Sequence, residues 1–147
     1  MQRLTTIALD LEGTLISNAV SQFPRPGLKA FLQFCRDNFA NVYIYTAVRD
    51  STCVPIIQTL IAEDLAPAWF DDIPFVQWDR SVKDLTNVPN CDPDACLLLD
   101  DNRDYVVDSQ IDQWIAINKF QSPYPDTDTE LARIQTVISE RLSNCNS

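Results

Sequence analysis

A chain of 147 residues is long enough to bury one core and too short for two comfortable domains, and 46% apolar residues set it apart from disordered chains. A formal charge of −10 repels phosphate backbones and anionic lipid, which argues against nucleic acid or a membrane surface as partner, and no apolar stretch approaches membrane-spanning length. Five cysteines with no CxxC pair, in a chain without histidine, speak against a zinc site and for free thiols in a reducing compartment.

Met1 to Leu9 lacks a basic region followed by a long apolar run, so no signal peptide is expected and the cytoplasm is the expected location. Within it, Thr5 to Leu9 predicts a short buried strand that stops at Asp10. A loop with Gly13 and Thr14 follows, and Pro24 and Pro26 lead into a helix whose stripe is Leu28, Phe31, Leu32, Cys35 and Phe39. Asn41 to Tyr45 predicts a second strand, ending at Thr46. A helix around Ile56, Ile57, Leu60 and Ile61 is expected next, with Pro55 in its first turn, where a missing N–H is harmless. Residues 66 to 82 predict a loop or hairpin with short strands, and Lys83 follows. Ala95 to Leu99 is a third buried strand that stops at Asp100, and Trp114 to Ile117 a fourth. The tail from Thr127 predicts a helix with Leu131, Ile134, Ile138 and Leu142 as its stripe and Thr127 with Glu130 as a capping box. Apolar strands alternating with amphipathic helices indicate an α/β domain, taken as one unit over residues 1–147, with a mostly parallel sheet.

Three of the strands end on a polar residue: Asp10, Thr46 and Asp100. The carboxyl ends of parallel strands line one edge, where ligands bind. Asp10, Glu12, Thr46, Lys83, Asp100 and Asp101 can therefore converge despite their separation in sequence. Such a cluster suits phosphoryl transfer. A carboxylate attacks phosphorus, a divalent cation offsets anionic repulsion, a lysine and a hydroxyl hold the phosphate oxygens, and a second acid handles the leaving-group proton. The chain has only two glycines, and Gly13 lies three residues past Asp10, where backbone must pass close to phosphate or take a positive φ.

Asp10-Leu11-Glu12-Gly13-Thr14-Leu15 resembles the DxDGT signature of the haloacid dehalogenase superfamily. Tyr45-Thr46-Ala47, Ser81-Val82-Lys83-Asp84-Leu85 and Leu99-Asp100-Asp101-Asn102 resemble its second, third and fourth motifs, in the family's order. The nearest branch is that of the RNA polymerase II C-terminal-domain phosphatases and their NLI-interacting-factor relatives, to which Arg25-Pro26-Gly27, Lys83-Asp84-Leu85 and Asp128-Thr129-Glu130-Leu131 also point. The resemblance implies a three-layer Rossmannoid fold and a magnesium-dependent phosphatase. It implies Asp10 as nucleophile and metal ligand, Glu12 as acid and base with its carbonyl on the metal, and Thr46 and Lys83 on phosphate. Asp101 would be a metal ligand, Asp100 a support for the metal or Lys83, Gly13 and Thr14 supporting residues, and Asp104 a candidate further out.

The segments from Thr14 to Thr46 and from Thr46 to Lys83 are too short for a cap domain, so a capless, open site is expected. An open site suits a phosphorylated serine or threonine of a protein, or another bulky phosphoester, because small metabolites usually need a lid. Trp78, next to Lys83 in the insert, and Arg80 are the candidates for a substrate entrance. Glu12 is the one departure, since the family has aspartate there. General acid–base catalysis is typically worth about 10²–10⁴-fold, so its geometry matters. The same glutamate occurs in a non-catalytic relative, the presequence-translocase import subunit, which also lacks the aspartate nucleophile. The alternative function is therefore a weak or inactive scaffold that binds a protein partner. A phosphoacceptor receiver domain fits less well, because receivers carry their acidic pair on the first strand and here Asp100-Asp101 comes late.

Overall fold

The buried apolar runs become strands. In the computed structural model, which describes residues 3–146, these are β1 (Thr6–Leu9), β2 (Asn41–Ile44), β3 (Cys96–Asp100) and β4 (Trp114–Ala116). Residues 1, 2 and 147 of the expected single unit lie outside the described residues. The helices are α1 (Leu28–Asn38), α2 (Asp50–Ala62) and α3 (Glu130–Asn146). The strands pair in the order β2-β1-β3-β4, and every pairing is parallel. β1 and β3 are buried along their whole length, as strands covered on both faces must be. Among the described residues no helix is long and apolar enough to cross a membrane.

Side chains alternate across the sheet. Ile7, Leu9, Ile44, Leu97, Leu99 and Ile115 point to one face and pack with the apolar stripes of all three helices. Ala8, Tyr43, Tyr45, Cys96 and Leu98 point to the other. That second face is covered by Val76, Leu85, Val88 and Val106, which belong to loops and short 3-10 turns rather than to α-helices. The three layers are therefore helices, sheet and turns.

Residues 66 to 82 do not form a hairpin. They contain a 3-10 turn, Ala68–Asp72, and a single parallel bridge from Phe75 to Ile44 that extends the sheet edge beyond β2. The strand pattern in this stretch is real at one rung only, because Pro74 and the aspartates break it. Pro55 lies one turn further into α2 than expected, since the helix begins at Asp50 rather than beside the proline. The first amide of α3, that of Glu130, donates to Asp128 Oδ1 at 3.1 Å rather than to Thr127. Glu130 instead accepts from the Asn118 amide and from Arg133.

Candidate active site

The sheet register places the acids. Leu9 pairs with Leu99 on one side and with Ile44 on the other. The next residues continue the ladder: the Asp10 amide donates to the Leu99 carbonyl at 3.0 Å, and the Tyr45 amide to the Leu9 carbonyl at 2.8 Å. Asp10 and Asp100 thus leave adjacent strands at one rung, with Thr46 beyond the end of β2. All three lie on the carboxyl edge and line one cleft of about 320 Å³.

Lys83 comes to them from the loop between α2 and β3. Its amide donates to the Tyr105 carbonyl at 2.8 Å, which fixes the start of the side chain. Its ammonium donates to Asp10 Oδ1 at 2.9 Å and to Asp100 Oδ2, and only 1% of the residue is exposed. Tyr105 and Trp78 wall it, with ring centroids 4.9 and 5.8 Å from Nζ. Asp84 supports this approach by capping the turn Leu85–Asn87 through the Thr86 amide and by accepting from Gln110.

Thr14 joins the remaining acids. The chain turns back after Asp10, with the Leu15 and Ile16 amides donating to the Leu11 carbonyl. This brings Thr14 Oγ1 within 2.8 Å of Asp10 Oδ2 and 3.1 Å of Asp101 Oδ1. Gly13 makes the turn possible. Its φ is +76°, and a Cβ there would lie 2.7 Å from Asp101 Oδ2. Arg25, 1% exposed, holds the turn from outside. It donates to the Gly13, Thr14 and Asn118 carbonyls and makes a bidentate pair with Asp128 at 3.0 and 3.1 Å.

The balance of charge is unusual. Oxygens of Asp10, Asp100 and Asp101 lie within 4.8 Å of one another, against one ammonium. Burial holds the Asp10 carboxyl well above the usual carboxylate range; Lys83 opposes that shift and Asp100 and Asp101 reinforce it. Asp100 is raised for the same first reason. Three hard oxygen ligands without histidine or thiolate match magnesium or calcium chemistry rather than zinc. Asp100 is less free than the others, because Oδ2 faces Lys83 and Oδ1 accepts from the Asn102 amide at 2.8 Å.

Glu12 lines the same cleft, and its Oε2 accepts from the Ala19 amide at 2.7 Å. Thr46 Oγ1 accepts from the Val48 amide at 3.1 Å, which leaves the hydroxyl proton free. Trp78 and Arg80 stand outside the cleft lining. Trp78 Nε1 donates to the Thr46 carbonyl at 3.0 Å, and Arg80 Nε to the Ala47 carbonyl at 3.1 Å, so both brace the Thr46 loop. Asp104 is exposed and also lies outside. The cleft recruits residues that no sequence pattern marked: Asn18, Tyr105, Lys119 and Tyr124.

A parallel α/β sheet with this acid–lysine–threonine cluster at its carboxyl edge is consistent with the haloacid-dehalogenase-like class. The model of the family described as NLI interacting factor-like phosphatase matches residues 5–147, and the chain belongs to that family. Its membership supports a phosphatase function. A comparison with curated proteins found no match.

Proposed function

We propose that the protein is a magnesium-dependent phosphomonoesterase that uses Asp10 as its nucleophile. Its substrate would be a phosphorylated serine or threonine of a protein, or another bulky phosphoester. The observation that carries the reading is the fixing of Asp10 from both sides, by Lys83 on Oδ1 and Thr14 on Oδ2, beside Asp101 in one open cleft. The carboxylates of Asp10 and Asp101 and the carbonyl of Glu12 would hold the ion. Bound there, it would offset repulsion between carboxylate and phosphoester.

Asp10 attacks phosphorus, forming a bond from its carboxylate oxygen while the bond to the leaving oxygen breaks. Glu12 donates the proton that the leaving alcohol takes. Lys83 has spent two of its three N–H groups on Asp10 and Asp100, and the third would hold a phosphate oxygen together with the Thr46 hydroxyl. Water then attacks phosphorus of the aspartyl phosphate, Glu12 takes its proton, and the bond to Asp10 breaks to release inorganic phosphate.

One observation favours a second reading, a weak or inactive scaffold that binds a protein partner: the Glu12 carboxylate is already engaged by the Ala19 amide. Turnover of para-nitrophenyl phosphate with magnesium separates the two. Under the phosphatase reading Asp10→Asn abolishes turnover and Glu12→Asp preserves or raises it. Background rates in all three proteins support the scaffold.

A further inference from the structure

The cleft has a buried floor and an exposed rim. Its floor is Asp10 and Asp100, with Asp101 beside them and Lys83 buried behind, bonded to the first two. Exposed Lys119 belongs to its lining, as do Asn18 and Tyr124, with Asn18 donating to the Tyr124 hydroxyl at 3.2 Å. Among the described residues the Lys119 ammonium has neither an ion-pair nor a hydrogen-bond partner. Lys119 is also, among those residues, the basic side chain that lines the cleft, whereas Lys83 is buried against Asp10 and Asp100.

The backbone on either side of Lys119 is pinned. The Asn118 carbonyl accepts from Arg25 at 2.6 Å, and the Asn118 amide donates to Glu130 at 3.0 Å. The Phe120 amide donates to the carbonyl of Gly13, in the Asp10 turn itself, at 2.8 Å. The Arg25–Asp128 pair that shapes the turn thus also sets where Lys119 stands. An exposed cation in the lining, without an internal partner, is free to attract an anion that arrives with the ligand.

Resting on the phosphatase reading, we infer that Lys119 selects phosphopeptide substrates carrying an acidic side chain near the phosphorylated residue. The floor takes the phosphoryl group, and Lys119 takes the second anion. If Lys119 only drew phosphate toward the floor, every phosphoester would depend on it equally.

The test measures equilibrium binding, by fluorescence polarisation, of labelled phosphoserine peptides to the Asp10→Asn protein with magnesium. One peptide is neutral around the phosphoserine; the others carry a single aspartate at successive positions on either side. At one or more positions the acidic peptide is expected to bind about twofold to fivefold more tightly than the neutral one, the range for a single exposed ion pair. Adding Lys119→Ala removes that ratio, Lys119→Glu inverts it, and Lys119→Arg retains it. A ratio near one at every position, a ratio untouched by Lys119→Ala, or equal weakening of all peptides overturns the inference. The phosphatase reading is judged separately, by turnover of para-nitrophenyl phosphate, which carries no second anion.

Discussion

The Glu12 carboxylate accepts from the Ala19 amide at 2.7 Å, across the loop that carries the chain away from β1. An aspartate there would be one methylene shorter and would bring its carboxylate less far toward that amide. The tether holds one carboxylate oxygen and leaves the other without a partner in the cleft. Glu12 can therefore serve as acid and base only by using its free oxygen or by releasing Ala19.

Glu12→Asp shortens the arm and breaks the tether, so kcat for para-nitrophenyl phosphate should hold or rise. Glu12→Gln keeps the reach and removes the proton, so kcat should fall by about 10²-fold or more. Steady-state kinetics on the three proteins checks both. Equal rates for Glu12 and Gln would remove the side chain from the reaction.

Stability without metal should fall as pH rises above about 4, because burial raises the Asp10 carboxyl above its unfolded value of 3.8. Between those two values the folded state binds a proton that the unfolded state has lost, so the slope of unfolding free energy against pH is negative. Asp10→Asn removes a titrating group and should flatten the profile, raising the melting temperature near neutral pH while abolishing turnover. Saturating magnesium should stabilise the wild type by about 2–3 kcal/mol at a hundredfold excess over Kd, and the Asn variant less. Thermal melts from pH 4 to 8, with and without magnesium, test the sign. A profile rising across that range would contradict it.

Gly13→Ala forces a Cβ to 2.7 Å from Asp101 Oδ2 at a φ of +76°. Strain and collision together should cost about 1–3 kcal/mol. The displaced carboxylate should weaken magnesium binding at least about tenfold, the lower range for disturbed ligand supports. Calorimetric titration with magnesium reads the second effect separately from folding.

Arg25 is buried with five polar contacts, so Arg25→Ala leaves Asp128 and three carbonyls without it. The expected loss is about 3–5 kcal/mol, or roughly 10 °C in Tm. Asp128→Asn should cost less, and the two losses should not add, because both break one pair. A double-mutant cycle by denaturant unfolding measures the coupling; strict additivity would show the pair to be idle.

The strand-end acids and Thr46 were legible because a buried run that stops on a polar residue survives any choice of partner strand. Parallel pairing then carries Asp10 and Asp100 to one rung, and Lys83 reaches them through a loop pinned at Tyr105. Arg25 and Asp128 were each marked by their motifs, but their pairing was not, since 103 positions separate them and neither lies on a periodic stripe. Lys119 enters the cleft from a loop and Tyr105 from the short 3-10 turn Arg103–Tyr105, where side-chain direction follows tertiary hydrogen bonds rather than any repeat. The turn-built third layer was equally hidden, because Val76, Leu85, Val88 and Val106 are too scattered to form a helical pattern. Trp78 was read as a substrate-entrance residue because it precedes Lys83 closely in sequence; its ring does lie beside Lys83, but its indole N–H donates to the Thr46 carbonyl and it is not part of the cleft lining.

The most direct measurement is the site of phosphorylation during turnover. The enzyme is mixed with excess para-nitrophenyl phosphate and magnesium, quenched in acid, and its peptides are mapped by mass. A phosphoryl group on Asp10, accumulating further in Glu12→Gln and missing from Asp10→Asn, is the expected result. Sustained turnover with Asp10 unmodified in every quenched sample, or a phosphoryl group on another residue, would contradict it.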